Sequence, residues 1–229
     1  MHIAPASPFT PQLPYVYRCM VFSPDIYQDA DYKHFNQPLP DKLHRAVAKR
    51  KAEYLAGRVC AASALQPLGH THFVVHSADD RAPIWPKGIR GSITHSKGVA
   101  MAVTTDQPDV LGIGIDIEHL MTDKQESELR GQILRDDETD AFTALGQDHE
   151  KPLTLVFSAK ESIYKALYGV VSAFFGFDAA KLIAHDRQHL RFILTTDLHP
   201  TLPTGTAITV HYQSTHDMVL TECVHLNTN

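Results

Sequence analysis

The sequence predicts an α+β fold made of two halves divided near Pro108, on three observations. Apolar, β-branched stretches at residues 190–195, 207–212 and 218–224 read as strands close together in the chain, which favours a partly antiparallel sheet. Helix and strand signals alternate without a G-x-G-x-x-G turn, which sets aside a dinucleotide-binding fold. Gln107-Pro108-Asp109 interrupts the chain near its middle, and a helix-plus-strands set stands on either side without detectable sequence repetition. The 229 residues suffice for one domain or two small intimate ones with a real core.

Taken in order, residues 1–14 carry four prolines and read as an extended, flexible lead. The N-terminal half then covers residues 15–108 and the C-terminal half residues 109–229. Residues 15–22 suit a first strand. Pro38-Leu39-Pro40-Asp41 offers a stop and an N-cap, and a long helix is expected over 42–65, with Leu43, Val47, Leu55, Val59 and Ala62 toward the core. Gly57 inside it would permit a close approach. Residues 73–76 read as a short strand, 78–91 as a loop with Pro83, Pro86 and Gly88, and 92–105 as a turn followed by a strand. Residues 110–117 are apolar and β-branched, as in a buried strand. Helices are expected around 123–134, 137–145 and 157–168.

Composition narrows the function classes. A hydrophobic fraction of 43% with 21% charged residues is that of a soluble globular chain. The net charge of -5 argues against a general nucleic-acid binder, so any anionic ligand needs a local cluster of cations. Fifteen histidines are scattered, without H-E-x-x-H or a close Cys/His ladder, so a zinc site is not expected. Cys19, Cys60 and Cys223 are odd in number and far apart, which suits a reducing compartment. With no signal peptide and no apolar run of about 20 residues, a cytoplasmic protein without a transmembrane segment is expected.

Chemistry concentrates in a few stretches. In Gly112-Ile-Gly-Ile-Asp116-Ile-Glu118 the two carboxylates lie two apart on a strand and project to one face. Such a pair needs a proton or a cation between its members, and magnesium is the natural hard-oxygen partner; a solvated strand end is the plain alternative. The two glycines would let a backbone or a ligand approach. In Phe157-Ser158-Ala-Lys160-Glu161-Ser-Ile-Tyr-Lys165, Ser158 and Glu161 fit a capping box, while Glu161 and Lys165 share a helical face. A helix start with a lysine beside it attracts phosphate. Arg50, Tyr54 and Arg58 recur every four residues on the long helix, with Arg45, Lys49 and Lys51 around them; this is either a solvated face or a phosphate clamp. Gly91-Ser-Ile-Thr94-His95-Ser96 would place hydroxyls and a histidine at a Gly-led turn.

These stretches, in this order, resemble the 4'-phosphopantetheinyl transferases. The resemblance rests on Lys49-Arg-Lys-Ala-Glu-Tyr-Leu-Ala-Gly-Arg58, Arg81-Ala-Pro-Ile-Trp-Pro86, Gly91 to Ser96, Gly112 to Glu118 and Phe157 to Ala166, and covers about residues 45 to 225. It is to the large monomeric class, and within it to the enterobactin synthetase component D type, since Phe174-Phe-Gly-Phe-Asp-Ala-Ala180 matches too. The resemblance implies a pseudo-dimer of two similar α+β halves with coenzyme A in the cleft between them. It implies magnesium on Asp116, Glu118 and Glu161, and Lys160 and Lys165 at the pyrophosphate or pantetheine. Arg50, Arg58, Arg81, Thr94 and His95 would hold the nucleotide and its 3′-phosphate. Thr94 stands where many members carry Ser, and Ala82 where Glu or Lys is common.

The implied reaction is attack of a carrier-protein serine on the β-phosphorus of coenzyme A, releasing adenosine 3′,5′-bisphosphate. Glu161 would accept the serine proton, directly or through water held by the metal. Lys165 and Asp116 complete the catalytic set. The implied partners are apo carrier proteins: peptidyl or aryl carrier domains of nonribosomal peptide synthetases in siderophore biosynthesis, with acyl carrier proteins as second clients. Phe174, Phe175 and Phe177 suit either docking or core, core being preferred. The alternatives are a magnesium-dependent hydrolase of coenzyme A or a nucleotide, and a non-catalytic coenzyme A-binding module.

Overall fold

The computed structural model describes residues 1–227, and two units divide the chain, Met1–Pro108 and Asp109–Asn229. Each is a helix laid on an antiparallel sheet, the arrangement expected of a pseudo-dimeric α+β fold.

In the first unit the strands are β1 (Ile3–Pro5), β2 (Val16–Phe22), β3 (Arg90–Ser96) and β4 (Val99–Thr105), in spatial order β1-β2-β4-β3. A five-residue helix, α1 (Ala30–His34), precedes the long α2 (Ala48–Leu65), which packs on β2 and β4 through Ala52, Ala56, Cys60 and Ala64. This small-residue face brings the helix close to the sheet: a Cβ on Gly57 would stand 2.9 Å from Ile93 Cγ2, the close approach expected of that glycine.

Several expectations change here. Residues 3–5 are not a loose lead, because they pair with β2 and Ile3 packs on the core. The helix starts at Ala48 rather than residue 42; Asp41–Leu43 is a separate 3-10 turn, and Val47, extended at ψ 152° and 71% exposed, breaks the chain between them. Residues 73–76 form no strand; the neighbouring chain makes only an isolated bridge, Ser77 to Pro83. Residues 91–96, read as a turn, are strand β3. The turn is Lys97-Gly98, both at positive φ (33° and 91°), the form that matches strand twist in a two-residue hairpin.

The second unit holds β5 (Val110–His119), α3 (Asp123–Ile133), α4 (Thr139–Asp148), α5 (Pro152–Val171), β6 (Ala180–His185), β7 (His189–Leu194), β8 (Ala207–Ser214) and β9 (Met218–Leu226). Its sheet runs β5-β9-β8-β7-β6, all antiparallel. The strand β6 was not expected from the sequence. Helix α5 lies along β5 and β9 and buries Leu155, Val156, Ala159, Ile163 and Leu167 in the core. It starts five residues earlier than expected, at Pro152, with proline in the first turn where its missing N–H costs nothing. Among the described residues no helix is long and apolar enough to cross a membrane.

Candidate active site

The acidic strand and the lysine-bearing helix are joined by a packing match. Two residues of a strand advance about 6.7 Å and four residues of a helix about 6 Å, so a row at i, i+2, i+4 on one can track a row at i, i−4, i−8 on the other. Gly112 sits against Ala166, Gly114 against Ser162, and Ser158 Oγ donates to the carbonyl of Asp116 at 3.3 Å. Of the two approaches the glycines could serve, they admit a backbone: a Cβ would lie 1.9 Å from Ala166 O at Gly112 and 2.0 Å from Ser162 O at Gly114. Thr221, opposite Asp116 in the β5–β9 register, locks the row with hydroxyl contacts to Ser158 (2.9 Å) and Ser162 (2.6 Å).

That row sets Asp116 over α5. Asp116 is 4% exposed, and its Oδ1 accepts from Lys165 Nζ at 2.7 Å while the same ammonium donates to Ile115 O at 3.0 Å. Glu161 stands one helical turn before Lys165, half-buried. Burial raises its carboxyl pKa, the charge of Lys165 opposes that shift, and the charge of Asp116 adds to it. Glu118, two residues beyond Asp116 on the same strand face, is half-buried. Among the described residues no three acidic, histidine or cysteine side chains are gathered at metal-ligating distance. Lys165 supplies the cation nearest Asp116.

In the first unit, α2 presents the basic row. Arg50 Nη1 lies 3.3 Å from His95 Nε2 on β3. Arg58, only 7% exposed, stacks on the Tyr54 ring at 4.6 Å and donates to Ser77 Oγ at 2.6 Å; its Nε is buried without a hydrogen-bond partner. Arg58, Tyr54 and Ser77 line a cavity of about 110 Å³ that also takes Lys42 and His76. Lys42, His76 and Ser77 were not picked from the sequence. Lys42 sits on the 3-10 turn before α2, and His76 and Ser77 on irregular chain after it; folding brings all three to Arg58. Arg81 occupies a tight turn at φ 75°, with its N–H on Ala78 O, a backbone region that favours glycine.

Residues 39–105 match the family model described as the 4'-phosphopantetheinyl transferase N-terminal domain, and residues 112–221 match the 4'-phosphopantetheinyl transferase superfamily. Together the two models take in the cationic cavity and the whole β5–α5 site. The chain belongs to the phosphopantetheinyl transferases. Similar proteins include enterobactin synthase component D of Salmonella typhimurium, 37% identical over 182 residues (80% of this chain and 75% of the relative). The same protein of Salmonella typhi is 40% identical over 153 residues, 67% of this chain but only 63% of the relative's length. The 4'-phosphopantetheinyl transferase PptT of Mycobacterium tuberculosis is 31% identical over 157 residues, 63% of this chain and 64% of its own. The family's reaction, transfer of phosphopantetheine from coenzyme A to a carrier protein, is the chemistry this transferase carries.

Three residues of this transferase stand elsewhere than its sequence suggested. Ser158 is no N-cap: it lies seven residues into α5, so the helix-terminus route to phosphate falls away, and so does the capping-box reading of Glu161. Lys160 does not face the site. It is 2% exposed, and its ammonium donates to Glu138 Oε2 at 2.7 Å and Ile133 O at 2.8 Å. A helix turns about 100° per residue, so Lys160 and Glu161 cannot share a face. Thr94 is parted from His95 because neighbours on a strand point to opposite faces; it is buried at 3%, while His95 faces Arg50.

Glu138 is a structural hub in compensation. It is 1% exposed and accepts from Lys160, from Arg135 N at 2.7 Å and from Leu182 N at 2.6 Å, tying the α3–α4 connection and β6 to α5. Burial lowers the Lys160 pKa and the Glu138 charge opposes that shift. Glu138→Ala leaves an uncompensated buried ammonium and two orphan N–H groups, so a loss of about 3–5 kcal/mol is expected. Thermal unfolding should register it as a fall on the order of 10 °C in Tm.

Proposed function

We propose that this transferase moves the 4'-phosphopantetheine arm of coenzyme A to a serine of an apo carrier protein, with Glu161, Lys165 and Asp116 as its catalytic residues. The observation that carries the reading is the Lys165–Asp116 pair at 2.7 Å with Glu161 one turn away, on a strand and helix locked together by glycine contacts. Glu161 accepts the serine proton, directly or through water, as the serine oxygen bonds to the β-phosphorus. The bond from that phosphorus to the bridging oxygen breaks, and adenosine 3′,5′-bisphosphate leaves with the electron pair. Lys165 bears against the negative charge that spreads over the phosphoryl oxygens.

The donor set suits magnesium: three carboxylates give hard oxygens, and the half-buried Glu161, raised in pKa by burial and by Asp116, is an acid that a nearby cation would relieve. Asp116, Glu118 and Glu161 would hold the ion, whose bound charge offsets that of the pyrophosphate. Arg58, Lys42, Ser77 and His76 bind the nucleotide's 3′-phosphate in the cavity of the first unit, and Arg50, two turns earlier on α2, holds the nucleotide with His95. Arg81 lies on the loop leading into β3. Thr94 has its hydroxyl on the other face of β3, so its contact is separate from theirs.

The enterobactin synthase relatives support a peptidyl or aryl carrier domain of a siderophore assembly line as the acceptor, with an acyl carrier protein as second client. The three free cysteines support a reducing cytoplasm, and the resemblance to the large monomeric class supports a monomer as the working form. Mass spectrometry of a panel of apo carrier domains, incubated with coenzyme A and magnesium, is the direct test; a panel left unmodified by the wild-type protein refutes the reading. Arg58→Ala removes a charge-assisted phosphate contact, so the KM for coenzyme A should rise about 10- to 100-fold with kcat little changed. An unchanged dependence on coenzyme A would take Arg58 out of the site.

A further inference from the structure

We propose that Phe174 and the tyrosine behind it form the surface on which the carrier protein docks, taking an apolar face beside the acceptor serine; this rests on the transfer reading above. The outward stripe of α5 is Glu161, Tyr164, Lys165 and Tyr168, half-buried, while Ser162, Ile163, Ala166 and Leu167 between them are buried. Tyr164 therefore stands one turn beyond the acid Glu161 and one turn before Tyr168, at the three- and four-residue spacing of helical neighbours. Its ring lies 5.0 Å from Phe175 and 6.0 Å from Phe174.

The three phenylalanines of this loop have different fates. Phe175 and Phe177 pack on the core, and Phe177 meets Phe157 at 5.5 Å, as their core reading required. Phe174, for which core was also preferred, is 84% exposed, more than any other large apolar side chain described. The loop is anchored at both ends. Ser172, at φ 52°, ends α5 with its N–H on Tyr168 O at 2.8 Å, and the Asp178 carbonyl accepts from Thr195 Oγ1 at 2.6 Å and Arg135 Nη1 at 3.1 Å. An apolar ring held in water on a pinned loop is pre-organised for contact, with little ordering entropy left to lose on binding.

Continuity with the transfer site selects the occupant. The acceptor serine must come within hydrogen-bond reach of Glu161, so the protein bearing it covers the α5 stripe, and Tyr164 carries that stripe directly to Phe174. A second copy of the chain has no such requirement.

The test uses the full chain with Phe174→Asp and Phe174→Ala, an apo carrier domain that the wild type modifies, and coenzyme A. Transfer is followed by mass gain against carrier concentration, with coenzyme A binding and Tm measured on the same samples. The expected result is a KM for carrier raised at least about tenfold in Phe174→Asp and less in Phe174→Ala, with coenzyme A affinity and Tm unchanged. An unchanged KM for carrier, in an enzyme that still transfers, overturns the docking surface and leaves the transfer reading standing. A wild type that loads no carrier removes both. A wild-type dimer that becomes monomeric in Phe174→Asp, at constant carrier KM, gives the patch to self-association and overturns the proposal.

Discussion

Gly114→Val is expected to unfold the second unit at temperatures the wild type withstands. A real Cβ essentially never comes within 3.0 Å of a non-bonded heavy atom from another part of the chain, yet one on Gly114 would lie 2.0 Å from Ser162 O and 2.7 Å from Ala166 N. Both are backbone atoms of α5, so no side chain can rotate away. The helix must back off from β5 by about an ångström, which opens gaps around Val156, Ala159 and Ile163 and strains the hydroxyl contacts of Thr221 with Ser158 and Ser162. Overpacking ordinarily costs about 1–3 kcal/mol, and a rigid backbone neighbour puts this site at or above the top of that range. Gly114→Ala is the milder probe, with a Tm lowered by roughly 6–12 °C. A shift of less than about 2 °C would show that helix and strand separate freely, and the close packing of Gly112 and Gly114 on α5 would be wrong.

Glu161→Gln is expected to lower carrier loading by about 10²- to 10⁴-fold, the range for losing a positioned acid–base group. Asp116→Ala should be comparably damaging, since it also frees Lys165 from its 2.7 Å partner. The variants separate chemistry from folding. Because burial raises the Glu161 pKa, between its ordinary and its raised value the folded protein holds a proton that the unfolded chain has released. Stability therefore falls as pH rises through that window, and glutamine removes the effect. In protein treated with chelator at about pH 8, Glu161→Gln should melt no lower than the wild type while being nearly inactive. Full activity of either variant by mass gain would dismiss the assignment.

The sites were unevenly legible in the sequence. Asp116 and Glu118 could be placed on one face because strand periodicity is local, and the buried strand around them was plain from its apolar run. Glu161 and Lys165 shared a face for the same kind of reason. Lys160 misled because a lysine beside a candidate catalytic acid looks functional, whereas its partner Glu138 is 22 residues away and α3, α4 and β6 converge on it only after folding. The cationic cavity shows the same limit: the spacing of Arg50 and Arg58 could be read, but Lys42, His76 and Ser77 are joined to Arg58 by tertiary structure alone.

What the amino-acid order determined by itself was the class of fold, the family and the faces on which its short-range pairs lie, because helical and strand periodicities act between residues two to four apart. Tertiary structure alone decided that Gly112 and Gly114 serve a helix rather than a ligand, that Lys160 is spent on Glu138, and that Phe174 is left in water. Each of those outcomes depends on which distant surface comes to cover a side chain, and burial is a property of the packed units rather than of any local stretch of chain.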